Sequence, residues 1–373
     1  MLNEGIIKND ERAIFELREL YRQYGYSQFK MSKFEEYDLY VKNKDFLVSD
    51  EVITFTDKNG KLMALKPDVT LSIIKNSPDK AGVIQKVYYN ENVFRVSKGT
   101  HSFKEIMQAG LECVGDIHSY EIAEVVLLAA KSLSLISKNY VLDISHMGLV
   151  AAMLEDSGLS YEGKGDAHTF LHQKNSHELK RVCEEENIPA DKTAKLCALV
   201  DYCGNPKEVL EKISALLTSE KEKEAFEELN SLCKIIENSG FAKSVILDFS
   251  VGNDMKYYSG VVFKGYLEGI PTSILSGGQY DKLLRKMKRS SGAIGFALYL
   301  DLLEQIEDNR SDYDVDTVLL YDTGCDAITL TNAVNELSKD RSIRVCTEVP
   351  SQLKYRRLLK LTDKGVETLE NNG

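Results

Sequence analysis

The sequence predicts an α+β fold: a sheet core interrupted by a block of helices and followed by a small α/β tail. Three observations lead there. Strand-like runs with Asn-Gly and polar turn signals fill the first 115 residues and resume near residue 244. Between residues 161 and 243 the chain reads as helices punctuated by Gly and Pro, with almost no strand pattern. Past the polar break "EDNRSDYDVD", strand and helix patterns alternate. The expected domains are 1–310, with the helical insertion at 161–243, and a tail at 314–373.

The first helix follows from Ala13, Leu17, Leu20 and Tyr24 at helical spacing, with Asn9 or Asp10 as caps and Gly25 as the stop. "YSQFKMSKFEEYDLY" reads as a strand and then a loop. "VITFTDKNGKLMALKPDVT" reads as a hairpin about Lys58-Asn59-Gly60, because Asn-Gly suits the tight turn, with a helix starting at Asp68 to Thr70. Residues 83–96 and 103–115 make two strands joined by "SKGTHS", and "SYEIAEVVLLAAKSLSLI" makes a helix. After the insertion, "SVILDFSV" and "PTSILSGGQYD" read as strands. "VGNDMKYYSGVVFKGY" reads mostly as a strand, with an odd polar front end at Asn253, Asp254 and Lys256. "SGAIGFALYLDLLEQIE" is expected as a strand entering a buried helix. The tail order is strand "TVLLYD", helix "DAITLTNAVNELSKD", strand "IRVCTEV", helix "SQLKYRRLLKL".

Composition narrows the class. Hydrophobic residues at 43% and charged ones at 28% describe a globular chain rather than a disordered one. No 18-residue apolar run suggests a membrane span, and the early charges of "MLNEGIIKNDER" argue against a secretory leader. Seven scattered cysteines without a CxxC pair point to reduced thiols in a cytoplasmic protein, not to a metal or disulfides. The net charge of −11 argues against a nucleic-acid partner. The basic runs "KLLRKMKRS" and "KYRRLLK" are expected as solvated helix faces. GxGxxG and P-loop fingerprints are absent. His146 is expected to order a turn.

The most informative strand is "FKEIMQAGLECVG". Alternation puts Met107, Ala109, Leu111 and Cys113 on one face, a core face, and Gln108, Gly110 and Glu112 on the other. An amide and a carboxylate flanking a glycine, between Ile106 and Val114, suggest a ligand floor. Arg95 on the neighbouring strand can pair a carboxylate or phosphate, or form a salt bridge to Glu112. Asp68 and Thr70 stand at a strand-to-helix junction where a cap is the simple explanation. Gly277 and Gly278, beside Tyr280, allow either a close approach or a turn.

Together "YGYSQFKMSKFEEYDLY", "TFTDKNGKLMALKPDVT", "VYYNENVFRV…QAGLECVG", "MKYYSGVVF", "SGGQYD" and "GAIGFALYLDLL" resemble the catalytic core of histidyl-tRNA synthetase over residues 5–305. The resemblance implies a class II aminoacyl-tRNA synthetase-like antiparallel sheet, with a tail similar to a truncated anticodon-binding domain. It also implies histidine-binding roles. Asp68, with Thr70 beside it, would meet the α-amino group, Gln108 and Glu112 would line the ligand, and Glu112, Tyr258 and Tyr280 would hold the imidazole. Arg95 would lie near the carboxylate.

Two catalytic positions of that family read as lost. Asn253 stands where an arginine stabilises adenylation, and Leu302 stands where an arginine meets ATP phosphates. The loop "SKGTHS" lacks the family's Glu and Arg. The non-catalytic branch of the family, the regulatory subunits of ATP phosphoribosyltransferase, fits this pattern. It implies no cofactor and no metal. Its implied partners are a short-form catalytic phosphoribosyltransferase subunit, L-histidine as feedback effector, and a second copy of this chain in a hetero-oligomer. The alternatives are a divergent histidyl-tRNA synthetase and a histidine-binding adaptor for another partner.

Overall fold

A computed structural model describes residues 8–43, 52–97, 100–252, 257–305, 313–339 and 341–372. Within these, 8–305 form one compact unit and 313–372 another. Asn253, Asp254 and Lys256, Lys98 and Gly99 of the "SKGTHS" loop, and most of the polar break lie outside the described residues.

The large unit begins with α1 (Asn9–Gln23), β1 (Ser27–Gln28), β2 (Phe34–Glu36), α2 (Tyr37–Val41), β3 (Thr54–Thr56), β4 (Leu62–Leu65) and α3 (Thr70–Asn76). The long pair β5 (Ile84–Val96) and β6 (Phe103–Gly115) follows, then α4 (Ser119–Ile136), β7 (Tyr140–His146) and α5 (Met147–Ser157). The helical block holds α6 (Tyr161–His172), α7 (Ser176–Glu185), α8 (Ala190–Asp201), the short β8 (Cys203–Gly204), α9 (Pro206–Ser214) and α10 (Glu220–Asn238). It ends in β9 (Val245–Asp248), β10 (Val261–Leu267), β11 (Leu275–Gln279), α11 (Asp281–Lys286) and β12 (Gly292–Tyr299).

One sheet runs β1-β5-β6-β12-β11-β10-β7-β9-β8, and its central strands from β5 to β7 are all antiparallel. On one face α1 and α4 press Leu17, Tyr21, Val125 and Leu128 against Leu111, Cys113 and Phe296. Each such leucine contributes about 2 kcal/mol of burial. This is the face expected for Ala109, Leu111 and Cys113. The other face of β6 carries Gln108 and Glu112, both buried. Burying a polar group costs energy unless it is hydrogen-bonded, so that face must supply partners. A second sheet of this unit, β2-β4-β3, is built on the hairpin expected at Asn59-Gly60.

Several local expectations change. The cap of α1 is not Asn9 or Asp10: the Lys8 N–H donates to Glu11 Oε2 at 3.0 Å, and Asn9 already begins the helix. "YSQFKMSKFEEYDLY" forms two short strands and the one-turn α2 rather than a strand and loop. Tyr257 and Tyr258 precede β10, which starts only at Val261. The expected helix after β12 is a 3₁₀ segment, Leu300–Gln305. His146 caps α5, its Nδ1 accepting the Leu149 N–H at 3.1 Å.

The small unit holds β13 (Val315–Leu320), α12 (Ala327–Leu337), β14 (Ile343–Cys346), β15 (Tyr355–Thr362) and β16 (Gly365–Asn371), in sheet order β14-β13-β15-β16. The helix expected in "SQLKYRRLLKL" is therefore strand β15, and "TDKGVETLE" turns into its hairpin partner through Gly365 at φ +113°. The reason is two-sided burial. Leu358 packs with Val315 and Val318 on one face, while Leu359 and Leu361 pack with Leu319 and α12 on the other. "KYRRLLK" is thus not a solvated helix face: Arg357 donates to Asp316 Oδ2 at 3.0 Å. Leu319→Ala is expected to cost the small unit about 3 kcal/mol, seen as lost hydrogen-exchange protection in β13 and β15. Unchanged protection would show that this core does not hold the sheet.

Candidate ligand-binding site

Sheet register assembles the site. Glu112 on β6 lies opposite Val87 on β5 and Gly295 on β12, and Gly278 on β11 follows across from Gly295. A row of glycines leaves the carboxylate room: a Cβ on Gly295 would sit 1.7 Å from Glu112 Oε2. Above this floor is a cavity of about 350 Å³. Asp68, Thr70, Arg95, Gln108, Glu112, Tyr258 and Tyr280 all line it, so the seven residues singled out in the sequence meet in one place.

Glu112 is the centre. Thr70 Oγ1 donates to its Oε1 at 2.7 Å, and the Tyr280 phenol donates to its Oε2. Burial pushes its pKa up to about 8, with Asp68 adding repulsion and the two hydroxyl donors holding it back. Asp68 comes from the junction of β4 and α3. Its Oδ1 accepts the Leu71 N–H at 2.9 Å, so it caps the helix and faces the cavity at once. Burial raises its carboxyl too, opposed by the Leu71 N–H and Arg95. The site therefore holds two carboxyls whose pKa burial raises, Glu112 the one taken to about 8, and an arriving cation would ease both.

Some details differ from expectation. Arg95 forms no salt bridge to Glu112; its Nε donates to the Pro67 carbonyl at 3.1 Å. The opening expected over Gly110 is taken by Tyr89, whose hydroxyl would lie 2.6 Å from an added Cβ. Gly277 and Gly278 sit inside β11 rather than in a turn, and the ring of Tyr258 lies against Gly278, 2.7 Å from where a Cβ would be. Leu302 lies outside the cavity lining, packed against the main core.

Sequence reading missed Tyr89, Tyr257, Lys264, Ser276 and Tyr299 in the lining. Counting alternate residues back from Arg95 would have found Tyr89. Among the described residues no group of His, Cys, Asp and Glu is placed to hold a metal, and no helix is long and apolar enough to cross a membrane.

A family model described as histidyl-tRNA synthetase matches residues 4–303. The chain belongs to that family. An ATP phosphoribosyltransferase regulatory subunit from Oceanobacillus iheyensis is 26% identical over 355 residues, which is 93% of this chain and 87% of that one. The solved structure of an ATP phosphoribosyltransferase regulatory subunit/histidyl-tRNA synthetase from Bacillus halodurans aligns with TM-score 0.77 at 23% identity, covering 94% and 93% of the two chains. A chain of the ATP phosphoribosyl transferase (HisG:HisZ) complex from Thermotoga maritima aligns with TM-score 0.63 at 18% identity, over 81% of this chain and 99% of that one. These structures share the fold, as expected for a class II synthetase-like α+β core.

The raised pKa of Glu112 has a consequence for stability. Between its ordinary 4.5 and about 8 the folded protein holds a proton that the unfolded chain has released. Stability attributable to this group therefore declines as pH rises through that window and levels off above it. Glu112→Gln removes the decline, so the variant gains on the parent between pH 5 and 8 in denaturant unfolding. Parallel stability–pH curves for the two proteins would contradict a buried, proton-holding Glu112.

Proposed function

We propose that this chain is the regulatory subunit of ATP phosphoribosyltransferase, the first enzyme of histidine biosynthesis, and that it senses histidine through the cavity on Glu112. A short catalytic subunit performs the reaction, joining ATP and phosphoribosyl pyrophosphate to give phosphoribosyl-ATP and pyrophosphate. This chain supports that activity and carries its feedback inhibition, as a homodimer within a hetero-oligomer.

One observation carries the reading. The amino-acid side of the cavity is complete, with Glu112 held by Thr70 and Tyr280 and joined by Asp68, Gln108 and Tyr258, while Leu302 packs into the core and offers the cavity no guanidinium. An imidazole N–H and an ammonium match two carboxylates, and Tyr258 supplies an aromatic wall. Asn253 lacks the charge to stabilise a developing adenylate phosphate. The length-wide likeness to regulatory subunits favours the same branch over a divergent synthetase.

Mixing the chain with a short catalytic phosphoribosyltransferase tests this. Co-purification, a rise in phosphoribosyl-ATP formation and inhibition by histidine are expected. Catalysis that stays unstimulated and insensitive to histidine, despite clean histidine binding, would favour an adaptor for another partner. Glu112→Ala is expected to weaken histidine binding by about a hundredfold, the loss of a buried charged hydrogen bond, with the folded dimer retained. Unchanged affinity in calorimetry would misassign the pocket.

Binding should also release protons. At pH 7 an empty site whose Glu112 titrates near 8 is mostly protonated, and a cationic ligand favours the carboxylate. Binding heats at pH 7 should therefore vary with the ionisation enthalpy of the buffer, and that dependence should shrink in Glu112→Gln. Buffer-independent heats at pH 7 would remove Glu112 from the ligand's contact set.

A further inference from the structure

The cavity is polar in a directional sense. Its acids, Asp68 and Glu112, gather at the β5–β6 side, close to Tyr89 and Tyr280. On the opposite side stands Lys264 of β10, which also lines it. Between β6 and β10 lie β12 and β11, so the two backbones are three strand spacings apart, about 14 Å. Small residues, Gly295, Ala297 and Ser276, line the strands between them, beside Val262 and Tyr258. A span of three strands between the two backbones, less the lengths of the two side chains, is the size of one small ligand.

Lys264 is also uncommitted. Among the described residues its ammonium has no hydrogen bond or ion pair; it is only attracted at longer range by Asp143, its cross-strand neighbour on β7, and by Asp248 on β9. Asp248 is itself engaged by Lys174 at 2.6 Å and by the Ser250 hydroxyl at 2.6 Å. Burial opposes the charge on Lys264, holding its pKa below the ordinary lysine value. A half-buried cation that faces a cavity and makes no direct hydrogen bond or ion pair among the described residues, with Asp143 and Asp248 acting only at longer range, is a group able to take an anion. Arg95 does not compete for the role. It sits on β5, also in the lining, with its Nε on the Pro67 carbonyl and Asp68 as an electrostatic neighbour.

We propose that Lys264 is the anchor for the anionic end of the bound ligand, taking the carboxylate of histidine whose imidazole rests on Glu112. The inference rests on the histidine reading above and replaces Arg95 with Lys264 as the carboxylate contact. Recognition then requires an imidazole-bearing molecule with an anionic group at its far end.

Histidine and histamine, which lacks only the carboxylate, separate this proposal from the reading it rests on. Calorimetry on the parent chain is expected to show histidine bound at least about tenfold more tightly than histamine, the size of one charge-assisted contact. Lys264→Met should lower histidine affinity to the histamine level while leaving histamine binding unchanged, and Lys264→Arg should restore most of the preference. Arg95→Met should keep the ratio of the two affinities. The proposal is overturned if Lys264→Met leaves the ratio intact, if it weakens both ligands equally, or if Arg95→Met is the variant that collapses the ratio. In those cases histidine still binds and the sensor reading stands. A parent chain that binds neither ligand overturns both.

Discussion

The carboxylate of Glu112, buried on the floor of an antiparallel sheet, is the constraint around which the large unit is arranged. A carboxyl in that position needs hydrogen-bond partners on both oxygens and space on every side. Thr70 and Tyr280 supply the donors from elements far apart in sequence, one at the start of α3 and one just after β11. Gly295 supplies the space from β12. Moving any of these would leave a buried acid unsatisfied, so helix, hairpin and sheet register are tied to one side chain.

The proposed sensing role draws on that arrangement. On the reading proposed above, an empty site that favours a protonated Glu112 carries less unpaired charge, and an arriving cation would complete it. The helix cap made by Asp68 couples the same chemistry to local structure, because the oxygen pair that faces the cavity also holds the first turn of α3. A ligand's charge placed there would, on the proposed reading, act on both the sheet floor and the first turn of α3.

Much of this was legible from pattern. The alternation in "QAGLECVG" separated Ala109, Leu111 and Cys113 from Gln108 and Glu112, and both faces behave accordingly. The hairpin at Asn59-Gly60 and the helix Ser119–Ile136 followed from turn chemistry and 3.6-residue spacing. What failed was decided by tertiary contacts. "KYRRLLK" is rich in helix formers, yet its leucines are claimed by β13 and α12 on opposite sides, and strand pairing prevails over propensity. Gly110 looked like an opening, but the ring that fills it comes from Tyr89 on the adjacent strand. Lys264, between Val262 and Tyr266 in an apolar strand, gives no local sign that it faces a cavity. Only the sheet order places it there.

The central claim is that this member of the histidyl-tRNA synthetase family keeps recognition of histidine without its activation. Histidine-dependent exchange of pyrophosphate into ATP, measured on a preparation already shown to bind histidine, tests it most directly. Saturable histidine binding with exchange at the background rate is the expected result. Robust exchange that depends on histidine would contradict it and identify the chain as a working synthetase.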